Sequence, residues 1–248
     1  ATSTAGGREQ PLGIAGTAVE PCAVSGTVSI TFDDRDNNGA ASVGDVLTIV
    51  FDRCHDTATD SVNGAATATY TQISTAPVRS IGARLTMSQL AAVSANHSLT
   101  LNGAMRLAFT RTSDTVETTR LTADGAVTIA VSTHLPYSDT VTLQSGYTQE
   151  DTRDASIPPP PGNSLAGRTT TTVQGRLRSA QADGLFDVVT LAGAALITYS
   201  GDAYPSGGAL QIRGRNGTLV LTALSRTTVQ LELDADNNGG FESTTSVA

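Results

Sequence analysis

The sequence predicts an all-β protein, an antiparallel β-sandwich or several packed antiparallel sheets with about a dozen strands. Two observations favour this class. Apolar and polar residues alternate with a period of two over many short runs, and Gly, Asn and Asp separate those runs. Such alternation is typical of strands that have one face on a core and a Thr-rich face towards solvent.

The clearest predicted strands are residues 27–32, 46–51, 104–109, 126–131 and 228–233. The one segment with a helical pattern is short, around residues 88–93. Asx-Gly dipeptides, which favour tight hairpin turns, stand between strand-like runs. They predict hairpins at Asn63-Gly64, Asn102-Gly103, Asp124-Gly125, Asp183-Gly184 and Asn216-Gly217.

Composition narrows the classes of function. The chain of 248 residues has a formal net charge of −8, and all fifteen of its basic residues are arginine. Phosphate binding needs a basic face, so nucleic acid is not an expected partner. The lack of lysine excludes chemistry that depends on a lysine side chain. No apolar run approaches the ~20 residues of a membrane-spanning helix, so no transmembrane segment is expected.

One stretch is a candidate domain boundary. Residues 149–167 are polar and contain Pro158, Pro159, Pro160 and Pro161, which stiffen the chain into an extended segment. The sequence therefore divides into a β domain at 1–155, a Pro-rich linker or loop at 156–167, and a β region at 168–248. A long surface loop within one domain fits these residues equally well.

Residues 34–45 match the spacing of a calcium-binding loop. Oxygen-bearing side chains occupy positions 1, 3, 5, 9 and 12 of the twelve, and Gly39 occupies position 6, where the loop turns sharply. The alternative is an Asx-rich turn without a metal. The predicted ligands are the side chains of Asp34, Asp36, Asn38, Ser42 and Asp45 and the backbone carbonyl of Ala40.

This loop resembles those of dockerins, which also tend to carry Asp at the last position. The resemblance covers about twelve residues. Dockerin loops lead into helices, whereas residues 46–51 here are β-branched and apolar. The resemblance therefore implies calcium and its ligands, but not the dockerin fold or its cohesin partner.

The flanks of the loop predict a hairpin. Folding the chain around residues 34–45 places Phe32 opposite Leu47, Ile30 opposite Ile49, and Val28 opposite Phe51, all on one face. A slip of two residues would keep the same faces. In this register Cys22 and Cys54 meet near the open end, where a disulfide would close a loop of about 33 residues. Two buried thiols are the alternative.

A second, weaker copy of the motif lies near the C-terminus. Residues 234–242 place oxygens at positions 1, 3, 5 and 9, and Thr245 at position 12 is a poor closing ligand. The alternative is a polar turn. Such endings resemble those of bacterial secreted β-rich proteins. The predicted ligands of this second calcium ion are Asp234, Asp236, Asn238 and Glu242.

Catalytic groupings are weak. His55, His97 and His134 lack a zinc-binding spacing, and Gly162-Asn163-Ser164 follows prolines rather than a strand, unlike a nucleophile elbow. The chain is accordingly predicted not to be an enzyme. A carboxylate-based hydrolase is the enzymatic alternative.

The predicted function is that of a secreted, calcium-stabilised structural protein of the cell surface or biofilm matrix. Its most specific form is a self-assembling fibre subunit, in which a terminal segment such as residues 1–13 adds to the sheet of a neighbouring copy. The alternative in another class is a calcium-dependent adhesin or ligand-binding module with a cell-surface or matrix partner.

Overall fold

The computed structural model describes residues 15–133, 138–161, 165–202 and 204–247. The described residues form seventeen strands and no helix, which confirms the all-β class. The strands are β1 Gly16–Pro21, β2 Ser25–Asp33, β3 Val46–His55, β4 Ser61–Ser74, β5 Arg79–Val93, β6 His97–Arg111, β7 Val116–Ala123, β8 Val127–Thr133, β9 Ser138–Leu143, β10 Thr148–Asp154, β11 Arg168–Ser179, β12 Gly184–Thr190, β13 Leu196–Tyr199, β14 Ala209–Arg213, β15 Thr218–Ser225, β16 Thr228–Asp234 and β17 Ser243–Val247.

All seventeen strands belong to one antiparallel sheet, which exceeds the predicted dozen and replaces the predicted sandwich or set of sheets. The sheet is an up-and-down meander. We call one crossing of the sheet by the chain a pass. Each pass between the first, β1, and the last, β17, hydrogen-bonds to the pass before it and the pass after it. Three passes are interrupted and contain two strands each, namely β7 with β8, β9 with β10, and β12 with β13.

A line of irregularities crosses the sheet perpendicular to its strands. Five passes contribute a glycine at positive φ, and the pass beside each glycine contributes extra residues as a bulge or an interruption. A Cβ on any of these glycines would collide with the backbone of the neighbouring irregular segment. The glycines are Gly26, Gly64, Gly103, Gly175 and Gly208. We refer to this line as the crease.

Three of the five predicted hairpin turns are wrong, because these three dipeptides lie at the crease. Asp183-Gly184 and Asn216-Gly217 do lie in turns between paired strands. Asn63-Gly64 and Asn102-Gly103 instead lie inside β4 and β6, and Asp124-Gly125 interrupts one pass between β7 and β8. The Asn side chains explain the difference, since Asn63 Oδ1 accepts the Arg53 N–H (3.1 Å) and Asn102 Oδ1 accepts the Gln89 N–H (2.6 Å). Each amide thus satisfies a donor in a neighbouring bulge.

The predicted helix at residues 88–93 is also wrong, because this segment is the end of β5. Gln89 has a φ of 45° and forms a bulge opposite Gly64 on one side and Asn102 on the other. Pairing with two neighbouring strands outweighs the weak local preference for helix.

A cluster of buried side chains lies at the crease. Ala123, Val127 and Leu143 are buried together, and Met105 and Tyr147 are among the partly buried residues packed against them. Only eleven hydrophobic residues of the described chain are buried, and five of those are alanine. The hydrophobic core is therefore small for a chain of this length.

The predicted boundary segment connects β10 to β11, and these two strands pair along seven residues from Thr148–Gln174 to Asp154–Arg168. The sheet is thus hydrogen-bonded across the predicted junction, and the division into domains stays a prediction. Residues 1–13, His134 and the Gly162-Asn163-Ser164 triplet lie outside the described residues.

Candidate metal centres

The hairpin around the first loop has the predicted register. Val28 pairs with Phe51, Ile30 with Ile49, and Phe32 with Leu47. The strands pair up to Asp33 and Val46, so residues 34–45 close the hairpin as a loop. The alternation of apolar residues excludes any odd slip, which would turn one strand's apolar side chains to the opposite face. The observed pairing selects this register from those that differ by an even number of residues.

Within the first loop, the backbone folds around the carboxylate of Asp34. Its Oδ1 accepts the Asn38 N–H (3.2 Å) and its Oδ2 accepts the Gly39 N–H (2.8 Å). Asn37 and Gly39 have positive φ values of 55° and 75°, which turn the chain back over the carboxylate. The residue is 7% exposed. A buried carboxylate with these donors occupies the first ligand position of the motif.

Asp45 closes the first loop from its other end. It is fully buried, at 0% exposure. Its Oδ1 accepts the Arg35 N–H (2.9 Å), and its Oδ2 accepts the Ser42 N–H (2.7 Å). A carboxylate at the twelfth position therefore reaches back to the second residue of the loop.

Ser42 joins two of the carboxylates. Its hydroxyl lies 2.8 Å from Asp36 Oδ2 and 3.1 Å from Asp45 Oδ2, and its single proton is shared between the two oxygens. This hydrogen bond is the main cause that lowers the pKa of the Asp36 carboxyl below its ordinary value. Asp36 is consequently ionised at neutral pH and retains a full charge for a cation.

The second loop repeats the hydrogen bonds of the first. Asp234 Oδ1 accepts the Asn238 N–H (3.1 Å) and its Oδ2 accepts the Gly239 N–H (3.0 Å). Asn238 Nδ2 donates to Asp236 Oδ2 at 3.0 Å, as Asn38 Nδ2 donates to Asp36 Oδ2 at 2.8 Å. The two six-residue segments that begin at Asp34 and at Asp234 therefore have the same local structure, although they lie 200 residues apart.

Glu242 closes the second loop in the way that Asp45 closes the first. Glu242 Oε2 accepts the N–H of Ala235 at 2.7 Å, the counterpart of the Arg35 N–H that Asp45 accepts. The longer glutamate side chain, placed at position 9, substitutes for an aspartate at position 12. Thr245 lies in β17 instead.

Each loop gathers three carboxylates. Oxygens of Asp34, Asp36 and Asp45 lie within 4.8 Å of one another, and so do oxygens of Asp234, Asp236 and Glu242. Like charges at such separations repel one another, so a bound cation would relieve the repulsion. Hard divalent cations, which prefer oxygen ligands, suit this donor set.

Two residues that hydrogen-bond to the loops from neighbouring strands could not be predicted from the sequence. Tyr70 in β4 holds the end of the first loop through its backbone, accepting the Gly44 N–H (2.8 Å) and donating to the Asp45 carbonyl (3.0 Å). Thr218 in β15 donates its hydroxyl to Asn237 Oδ1 (2.6 Å) in the second loop. Both contacts cross between strands, so only the pairing of the sheet reveals them.

The predicted disulfide is present. Cys22 and Cys54 are bonded, with Cα atoms 5.4 Å apart, next to the Ser25–His55 pair at the open end of the hairpin. No helix long and apolar enough to span a membrane occurs among the described residues. A disulfide is compatible with an oxidising, extracellular environment.

The remaining histidines lie apart from the loops. His55 ends β3 and His97 begins β6, where it pairs with Thr133. His97 lines a surface groove together with Asp56 and Asp60. No close contact between a histidine and a carboxylate occurs in this groove among the described residues.

No family model, curated protein or solved structure matches the chain. The dockerin-like resemblance of residues 34–45 therefore stays a prediction, and the function is inferred from the chain's own geometry.

Proposed function

We propose that this chain is a non-enzymatic, extracellular structural protein in which two calcium ions stabilise an extended antiparallel sheet. In its most specific form it is the self-assembling subunit of a surface or matrix fibre. The proposal assigns the first ion to the ligands Asp34, Asp36, Asn38, Ala40, Ser42 and Asp45, and the second to Asp234, Asp236, Asn238 and Glu242.

The observation that carries the calcium assignment is the equivalence of the two loops. Turns rich in Asp and Asn are common, and a single one would be weak support. Here two loops in different parts of the sheet share three backbone-to-carboxylate bonds within the first six residues, and a fourth from the second loop residue to the carboxylate that closes the loop. A shared ligand explains why both loops concentrate negative charge in the same way.

The small core supports a structural role for the ions. With eleven buried hydrophobic residues, many of them small, the sheet has little apolar packing to resist local opening. The first loop and the Cys22–Cys54 disulfide lie at opposite ends of the β2–β3 hairpin. Ion and disulfide together would hold both ends of this pair of strands.

An extracellular location fits this chemistry. Extracellular modules bind calcium with dissociation constants of about 10⁻⁴–10⁻³ M, close to the concentrations around cells. A site of that strength is occupied in a large fraction of molecules wherever calcium is abundant, and the ion then acts as a staple rather than as a sensor. The disulfide is stable in the same environment.

Thermal unfolding in calcium and in EGTA tests the ion assignment. We expect EGTA to lower the melting temperature of the native protein. Asp45→Asn should reduce this calcium-dependent shift, since it removes a buried negative charge from the first loop, and Asp45→Asn combined with Asp234→Asn should abolish it. Asp187→Asn makes the same change of charge on an exposed residue of β12 and should leave the shift intact. An identical melting temperature in calcium and in EGTA would refute calcium binding.

Electron microscopy and light scattering of the purified protein in calcium test the fibre. Filaments that grow with protein concentration are the expected result. A monodisperse monomer at high concentration would contradict self-assembly while leaving the calcium result unaffected.

A further inference from the structure

The sheet ends in two free edges. Within the described residues, β1 hydrogen-bonds only to β2, and β17 hydrogen-bonds only to β16. Each therefore presents one row of backbone donors and acceptors without a neighbouring strand. Free edges are the usual route by which β proteins add a strand from another chain.

The two edge strands have few of the sequence features that prevent pairing with a strand of another chain. All five residues of β17 are exposed, and its sequence Ser243–Val247 contains no charge, proline or glycine. In β1 the one charged residue and the one proline are at its end, at Glu20 and Pro21. Val19 and Val247 expose 61% and 49% of their surface. Natural proteins usually protect an edge with charges, prolines or bulges.

The number of passes makes the two edges complementary. Because three passes contain two strands each, the seventeen strands make fourteen passes, and every pairing is antiparallel. Chain direction alternates from pass to pass, so with an even number β1 and β17 run in opposite directions. A second copy moved along the sheet without rotation would place its β1 antiparallel to the β17 of the first. An odd number of passes would have produced a parallel pair.

The two faces also match in this arrangement. Ala18 pairs with Ile30, and Thr245 pairs with Leu231, so both lie on the apolar face of the sheet. Val19, Thr244 and Ser246 lie on the opposite face. A copy related by translation keeps its faces, and the apolar face would continue from one copy into the next.

We propose that β17 of one molecule pairs with β1 of the next, so that successive copies form one continuous antiparallel sheet. This interface is heterologous and does not close on itself, and it generates an open filament. The inference rests on the proposed self-assembly and specifies the surfaces that carry it.

Mixed disulfide crosslinking tests the pairing. Both native cysteines are bonded to each other, so an introduced cysteine is the only free thiol in each variant. Val19→Cys is mixed in calcium with Thr244→Cys, Thr245→Cys or Ser246→Cys, oxidised in air and examined on a non-reducing gel. We expect a crosslinked dimer with Thr244→Cys or Ser246→Cys, and at least several-fold less with Thr245→Cys, whose side chain lies on the other face.

A matched control uses Ala95→Cys, an exposed residue in the turn between β5 and β6, mixed with Val19→Cys. If wild-type protein forms filaments but the edge pairs crosslink no more than this control, the β17–β1 interface is wrong and self-assembly stands. Crosslinking of Val19→Cys with itself above the mixed pairs would also overturn the interface, because it indicates two identical edges in contact. If the wild-type protein forms no filaments, the proposed assembly itself fails.

Discussion

Asp124, which lies at the crease, forms ion pairs with arginines of two neighbouring strands. Its two carboxylate oxygens accept hydrogen bonds from Arg84 Nε and Arg106 Nη2, both at 2.7 Å. The hydrogen bond from Arg84, followed by the one from Arg106, lowers the pKa of the Asp124 carboxyl below its ordinary value. The sequence predicted a hairpin turn here, whereas the carboxylate joins β5 and β6 to the interruption between β7 and β8.

The lowered pKa predicts a pH dependence of stability. Because the folded state favours the ionised carboxyl, its contribution is complete above the unfolded pKa and disappears as pH falls through the lower, folded pKa. Asp124→Asn should therefore melt at a lower temperature than wild type at pH 7, by at most about 4 °C for so exposed a pair. The difference should disappear in strong acid.

Melting curves of both proteins between pH 7 and pH 2 measure this effect. Asp114→Asn, an exposed residue in the β6–β7 turn, is the control and should show no such pH-dependent difference. If Asp124→Asn melts below wild type by the same number of degrees at pH 7 and in strong acid, the arginine contacts do not stabilise the fold through the charge of Asp124.

At the scale of elements, the crease explains why identical dipeptides have different structures. Asn216-Gly217 is in a hairpin turn, whereas Asn63-Gly64 sits within β4 between two bulged strands. Asx-Gly favours positive φ at glycine, and both settings use that preference. Local sequence cannot distinguish them, because the second setting depends on the carbonyl of Gln89 approaching from a neighbouring strand.

Gly64 should consequently tolerate substitution less well than Gly125. A Cβ at Gly64 would meet the Gln89 backbone, while one at Gly125 would have nothing within 4 Å, and both glycines have positive φ. Gly125→Ala incurs only the backbone strain of about 1–2 kcal/mol. Gly64→Ala adds the cost of overpacking and should lose about 2–4 kcal/mol in total. Urea unfolding of the two variants measures the difference between their free energies of unfolding. Equal losses of stability would contradict the close approach of the Gln89 backbone to Gly64.

At the scale of the whole molecule, covalent and electrostatic contacts supplement a small core. The disulfide and the first loop are separated by the length of the β2–β3 hairpin, about 30 Å for nine residues. The second loop leads directly into β17, the free edge strand. The proposed ions are therefore placed to hold a strand end near each limit of the sheet.

Contributions of distant sites should add. Cys22→Ser combined with Cys54→Ser should lower the free energy of unfolding by about 3–4 kcal/mol in the chain-entropy account of a loop this size. EGTA should then lower the stability of this variant by the same amount as that of wild type, within about 0.5 kcal/mol. Denaturant titrations of both proteins, with and without EGTA, provide the comparison. A much larger effect of EGTA in the variant would show that ion and disulfide do not stabilise the hairpin independently.

The sequence by itself determined the all-β class and predicted correctly the Cys22–Cys54 bond and the register of the first hairpin, for each of which it left one alternative. Each of these depends on local alternation or on residues brought together by a single turn. It also singled out the three carboxylates of each loop that the structure brings together. Such features follow from neighbours along the chain, which a sequence displays directly.

Only the tertiary structure decided that the strands form one meander, that three Asx-Gly pairs lie on a crease, and that Glu242 closes the second loop. These depend on which strand lies beside which, and alternation with a period of two is the same for a strand in a sandwich and in a single sheet. The even number of passes, which makes the two edges complementary, likewise exists only once every strand has its neighbour.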